Sequence, residues 1–276
     1  MLKPKKVIPA LGILLVALLA LNMPSLADAE AIVLDGLIEP YLIVKIGSPV
    51  AGILETVKVD RGDMVTAGQV LATLQSGVEK ATMELARART EMDSAIKAKK
   101  SKLNYLEREQ KRMEQLQNQA LISFEALDES RTNTSLASLD LAEAEENKRL
   151  AEFELKRSTE VVNRMTIYSP ITGVVTNRFL TPGEYVENQP VLQLAQINPL
   201  YVEVFAPVKL LGAIKVGMRA DISPEKPAGG IYRARVTVVD RVIDAASGTF
   251  GVRLELPNAQ GKLPAGLKCR VTFLNN

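Results

Sequence analysis

The sequence predicts a mixed α+β chain of elongated, multi-module build, in which a small β-sandwich is split by a long antiparallel α-helical coiled-coil hairpin and followed by a small β-barrel. Residues 46–54, IGSPVAGIL, return at 167–175 as IYSPITGVV. Between the two copies, from about Gly77 to Arg164, there is no proline and no further glycine, and Ala, Glu, Lys, Arg, Leu and Gln dominate, all good helix formers. From Asn198 onward, stretches of period-two alternation separated by Gly and Pro turns resume, which is the pattern of short half-buried strands.

The first residues carry Lys3, Lys5 and Lys6, an apolar run from about Val7 to Leu21, and Ala27-Asp28-Ala29, which fits the small-x-small rule for signal cleavage. Residues 1–29 are therefore expected to be an export signal. The alternative is a retained anchor, but the run is shorter than the roughly 20 residues that cross a bilayer, and Pro9 interrupts its start. A single cysteine, Cys269, allows no internal disulfide, and no cysteine near the cleavage site offers a lipid attachment point.

Residues 30–44 are expected to give a strand that joins the barrel. The first half of the sandwich follows at 45–76 and the second at 166–197. With an offset of 167 − 46 = 121, Ile46, Ser48, Pro49, Gly52, Gly62, Val65, Val70 and Leu71 fall on Ile167, Ser169, Pro170, Gly173, Gly183, Val186, Val191 and Leu192. Pro182-Gly183-Glu184 is a turn signal, and Arg61-Gly62-Asp63 occupies the equivalent place, so this Arg-Gly-Asp reads as a turn rather than an adhesion motif. Two Gly-centred halves of about 30 residues look like the flattened sandwich of lipoyl and biotinyl carrier domains. A carrier presents its cofactor lysine on the hairpin joining the halves. Here that join is replaced by the helical insertion, and the flanking lysines are Lys58 and Lys80, so no cofactor is expected.

The insertion, 77–165, repeats every seven residues. In its first arm Leu85, Met92, Lys99, Leu106, Met113 and Ala120 form one stripe, beside Ala88, Ala95, Lys102, Glu109 and Leu116. In the second, Leu127, Thr134, Leu141, Lys148, Leu155 and Val162 run beside Ala137, Ala144 and Ala151, a heptad pattern with small residues on its second stripe. The break falls at Leu121-Ile122-Ser123-Phe124, where Ser123 can cap a new helix. A turn centred there would set Lys99, Lys100 and Lys102 level with Glu146, Glu145 and Glu143.

The barrel, 198–276, is written as YVEVFAPV, a short helical LLGAIKVG expected to cap one end, ADI, YRARVTVVDRVI, TFGVRLELPN and KCRVTF. Cys269 alternates with Leu267 and Val271 in the last strand and reads as a buried, inert thiol.

Composition removes several classes of function. The chain has no histidine and one cysteine, which takes away His-based acid/base catalysis, the Ser-His and Cys-His nucleophiles and nearly every zinc site, so no catalytic, metal or cofactor site is expected. A net charge of +2 from 34 basic and 32 acidic residues gives no field to gather nucleic acid.

Just before the helical turn, RMEQLQNQALIS places Arg112, Leu116 and Ser123 in the spacing R-x3-L-x6-S, with the first two on one helix face. Taken with the split sandwich and the hairpin, this set resembles the periplasmic adaptor subunits, or membrane fusion proteins of the HlyD type, of tripartite efflux and secretion machines. The resemblance implies a non-enzymatic periplasmic adaptor associated with the inner membrane. It implies an inner-membrane transporter as one partner, with the RND type favoured and an ABC-type exporter or secretion system the alternative, a TolC-type outer-membrane channel as the other, and a homo-oligomer of six copies. It also implies that Arg112, Leu116 and Ser123 are the channel-docking residues. Domains hinging near Ser76-Gly77 and Asn198-Pro199 would relay motion. Asp244, Thr249, Leu263 and Gly266 keep much of the family's barrel pattern, whereas Gly248 stands where the family has an arginine. A chain ending at Asn276 would leave the barrel to supply the transporter contact that many adaptors make through a further domain. A lipoyl or biotin carrier and a purely structural periplasmic coiled coil are the remaining alternatives.

Overall fold

The computed structural model describes Leu2 and residues 32–274. The expected export signal at 1–29 lies outside the described residues, Leu2 apart. The chain divides into two compact units, one of residues 40–199 and one containing residues up to Glu39 together with Leu200 onward. The strand expected over residues 30–44 runs Val33–Ile46, and the division between the units falls within it, after Glu39.

In the first unit the sandwich is built from β2 (Gly52–Val57), β3 (Met64–Val65), β4 (Val70–Leu74), β5 (Thr166–Tyr168), β6 (Gly173–Arg178), β7 (Tyr185–Val186) and the start of β8 (Leu192–Pro207). One sheet runs β5-β4-β2-β7, and β3, β6 and β8 pair in the other. The 121-residue repeat is a pseudo-twofold exchange. Gly52 pairs with Val186 and Val65 with Gly173. Gly62 N–H donates to the Val175 carbonyl at 2.9 Å, and Gly183 N–H donates to that of Leu54 at 2.8 Å. Each half therefore completes the other's ladder, which is why an insertion between them leaves the sandwich intact. Gly62 and Gly183 sit at φ +98° and +93°, the left-handed region that a side chain resists. Leu54, Val65, Leu71, Val175, Val186 and Leu192, three repeat-related pairs, are buried in one core.

Between the halves stand α1 (Gly77–Thr90), α2 (Ser94–Asn118) and α3 (Phe124–Arg164), forming a helical hairpin. At 1.5 Å per residue the 41-residue α3 is about 60 Å long. The expected stripes, Leu127, Thr134, Leu141, Lys148, Leu155 and Val162 with Ala137, Ala144 and Ala151, are all buried or half-buried. The first arm differs. It breaks at Glu91–Asp93 without proline or glycine, and the inward positions Thr90, Asp93, Ile96 and Lys99 follow one another in three-residue steps. Such a run shifts the heptad phase. Below the break the seam is Met83, Ala86 and Thr90, while Leu85 and Met92, expected inside, are 57% and 68% exposed.

The ion pairs correct the expected register as well. Lys99 and Lys102 both reach Asp140, at 3.0 and 3.4 Å, and Lys148 reaches Asp93. The run Glu143, Glu145 and Glu146 does not receive the lysines: the numbers of the pairs Lys99–Asp140, Lys102–Asp140 and Asp93–Lys148 sum to 239, 242 and 241, whereas Lys99 level with Glu146 would sum to 245, a value met only nearer the turn at Glu114–Arg131. Lys99 and Lys148, charged residues on the seam, are answered by Asp140 and Asp93. The carboxyl of Asp140 is held below its usual range by hydrogen bonding and charge from Lys99 and then Lys102, and that of Asp93 by Lys148.

The second unit is a six-stranded barrel, β1 (Val33–Ile46), β12 (Lys268–Phe273), β9 (Arg219–Pro224), β10 (Tyr232–Val239), β11 (Thr249–Leu256) and β8, closed by pairing of β1 with β8. Val202, Val204, Ile222, Phe250, Leu254 and Val271 fill it, and alternate residues point outward. The stretch after β8 forms only a 3₁₀ turn, Val208–Leu210, rather than the expected longer helix, but Ile214 is buried at that end of the barrel. Asn198-Pro199 lies inside β8 and not in a loop. Gly248 is at φ +65° and its N–H donates to the Asp244 carbonyl at 2.8 Å, so this turn takes glycine where an arginine would be strained. Cys269 is buried, and burial first, then Asp35 and Glu225, pushes its thiol up to about 11.

Candidate docking site at the hairpin tip

The tip is made by the way α2 stops and α3 starts. The Leu121 N–H donates to the Leu116 carbonyl at 3.0 Å, and the Ala120 N–H to that of Gln117 at 2.9 Å. This double bond pattern is the Schellman ending, which needs a left-handed residue after the helix. Here that residue is Ala120, at φ +58°, the one non-glycine residue with positive φ among the described residues. The side-chain amide of Gln117, with its nitrogen turned to the loop, donates to the carbonyls of Ile122 and Ser123.

Ser123 is the N-cap of α3. Its extended backbone lets its Oγ accept from Ala126 N–H at 3.2 Å, satisfying one of the free donors of the first turn. Ile122 and Leu127 occupy the two positions of a hydrophobic staple around that cap, and Leu127 is buried. A turn deeper, Arg131 reaches Glu114 at 3.3 Å and ties the arms together. Glu114 also accepts from Gln110, and these two bonds, Gln110 first, hold its carboxyl below the usual range.

Arg112 and Leu116 lie on α2, one turn apart. Arg112 is exposed and makes no ion pair or side-chain hydrogen bond among the described residues, and Leu116 is 36% exposed. Ser123 lies across the turn, its hydroxyl engaged in capping. The tip therefore presents a forked, permanently charged donor and an apolar side chain beside a turn held in one shape. Sequence reasoning missed Leu121 and Phe124, which are 65% and 69% exposed and enlarge the apolar surface. Two large apolar residues flanking an N-cap serine, outside both heptad stripes, were the available signal. Among the described residues, no helix is long and apolar enough to cross a membrane.

Comparison with known proteins agrees with this architecture. Residues 42–196 match the family described as CzcB-like, barrel-sandwich hybrid domain, and residues 199–276 match the CusB-like, beta-barrel domain. The membrane fusion protein MtrC of Neisseria gonorrhoeae is 26% identical over 88% of this chain and 60% of its own length. The cobalt-zinc-cadmium resistance protein CzcB of Cupriavidus metallidurans is 26% identical over 79% of this chain and 39% of its own. The chain thus spans between about two fifths and three fifths of these relatives. Among solved structures, MacA from Actinobacillus actinomycetemcomitans superposes with a TM-score of 0.73 at 20% identity, covering 88% of this chain and 78% of that one. The membrane fusion protein Spr0693 from Streptococcus pneumoniae R6 gives 0.61 at 17%, covering 89% and 99%. The two-halved sandwich and the barrel that follows it are the two modules these family models match, and the chain belongs to the membrane fusion protein family, carrying its CzcB-like, barrel-sandwich hybrid domain and CusB-like, beta-barrel domain.

Proposed function

We propose that the chain is a periplasmic adaptor that links an inner-membrane transporter to a TolC-type outer-membrane channel for the efflux of small molecules, docking on the channel through its hairpin tip. The observation that carries this reading is the unpaired Arg112 beside half-open Leu116 on a tip whose turn is fixed by Ser123 and Gln117. On docking, the Arg112 fork donates to main-chain carbonyls of the channel's helical turns, and Leu116 fills an apolar groove between its helices. The hairpin works as a coiled-coil arm, and its rigidity comes in part from neighbouring copies. Along α3, Leu136 with Leu139 and Leu150 with Phe153 stand exposed in a second heptad stripe turned away from the seam and interrupted by Glu143 and Glu146, a surface that a ring of copies would cover. The family resemblance implies six.

The relatives named for cation efflux and metal resistance favour an RND-type transporter over an ABC-type exporter. Cross-linking in cells followed by identification of the co-purifying inner-membrane protein decides between them. In a strain that depends on this chain for export, Arg112→Asp is expected to raise drug susceptibility to that of cells lacking the protein, with helix content and melting unchanged. Export that survives both Arg112→Asp and Leu116→Asp overturns tip docking.

A further inference from the structure

The antiparallel registers gather several segments at one end of the barrel. The loop between β8 and β9, residues 208–218, meets the loop between β10 and β11, residues 240–248, through a bond from Val208 N–H to the Gly248 carbonyl at 3.0 Å. The start of β1 and the end of β12 lie there too, since Val33 pairs with Thr272 and the Phe273 N–H donates to the Ile32 carbonyl. So does the start of β9, because Phe273 pairs with Ala220.

Single exposed apolar residues are ordinary on a protein surface, but here they collect. Val208, Leu211, Val216, Val242 and Ile243 are all exposed in these two loops, Val216 at 65% and Val242 at 82%. At the opposite end, the loops 225–231 and 257–267 expose one large apolar residue, Ile231. Among the valines and isoleucines stand Lys209, Lys215, Arg219 and Arg241, exposed and without ion-pair partners among the described residues. The acidic residues nearby are Asp221, which faces Arg233 at 3.9 Å, Asp240 and Asp244. Asp244 is turned inward on its own loop, accepting from Ala246 N–H at 2.9 Å and from the Ser247 hydroxyl at 3.0 Å. Apolar loop tips ringed by lysine and arginine have the chemistry of a surface that rests in the interface of an anionic bilayer.

We infer that this end of the barrel seats on an anionic phospholipid surface, with Leu211, Val216, Val242 and Ile243 entering the headgroup boundary and the four basic side chains meeting lipid phosphates. The inference takes from the proposed function only which membrane is near; the lipid contact needs neither the channel nor the transporter.

The test uses the full chain with a single added thiol, Val242→Cys in one protein and Ile231→Cys in another, each carrying an environment-sensitive fluorophore. Buried Cys269, with its raised pKa, stays unlabelled. With phosphatidylcholine vesicles containing phosphatidylglycerol, the probe at 242 is expected to shift to the blue and to be quenched by lipid-borne quenchers. The probe at 231 is expected to do neither, and the response at 242 should fade in vesicles without the anionic lipid. Both variants carry the same residues 1–31, so the readout is depth at 242 against 231 and not binding alone. Substituting Lys209, Lys215, Arg219 and Arg241 by Gln is expected to lower the anionic-lipid response about fivefold per charge. Equal responses at the two positions, or a response at 242 indifferent to anionic lipid, overturns the inference. So does a response at 242 that appears only when the transporter is also present, which would assign this end to a protein face. Loss of export in Arg112→Asp with lipid seating unchanged separates this surface from tip docking.

Discussion

Ala120 shows how much of the tip depends on one backbone angle. Its position in the Schellman ending requires φ near +58°, where a Cβ meets the following carbonyl at a cost that glycine avoids. Ala120→Gly is therefore expected to stabilise the tip by about 0.5–1 kcal/mol, read as a higher urea midpoint of the helical signal. A lower midpoint would mean that the alanine methyl packs favourably and that the angle is no strain. The Ser123 cap was legible in the sequence, since a serine that opens a heptad run announces itself. Ala120 was not, because αL geometry at a non-glycine residue is imposed by the turn and leaves no mark in residue type. Gly248 is the converse case: its departure from the family's arginine becomes intelligible once the turn is seen to hold it at positive φ.

At the scale of the helical arm, the ion pairs make an acid-sensitive element. Asp93, Glu114 and Asp140 all have folded values below their ordinary ones, so what they add to stability is in place above the usual carboxylate range and is lost as the pH falls through the depressed values. Lys148 is raised by the same Asp93 contact, and its share persists until strongly alkaline pH. Thermal melts followed at 222 nm are expected to show falling hairpin stability below about pH 4, and Asp140→Asn should reproduce part of the loss at neutral pH. If Asp140→Asn keeps the full acid dependence of the parent, these pairs are not its source. The second arm's seam could be read directly from its heptads. In the first arm the phase slip at Glu91–Asp93 was illegible, because no proline or glycine marks it and the break is set by packing across to Lys148.

For the whole molecule, the exposed stripe on α3 bears on assembly. If copies assemble in the proposed ring, Leu150→Asp with Phe153→Asp, which leaves the seam untouched, should let the monomer fold with an unchanged melting curve while sedimentation shows loss of the higher oligomer. An oligomer that survives both substitutions would place the ring contacts elsewhere. The order of modules was written in the sequence, because a bisected repeat and a switch from period two to period seven are covalent facts that no folding step can rearrange. The absence of histidine likewise set limits on chemistry before any geometry was known. What the tertiary structure alone decided is which faces meet. It set the register of the arms, the reciprocal Gly62–Val175 and Gly183–Leu54 bonds, and the gathering of distant loops at one barrel end. Each of these depends on contacts between residues far apart in sequence, where periodicity names a face but not its partner.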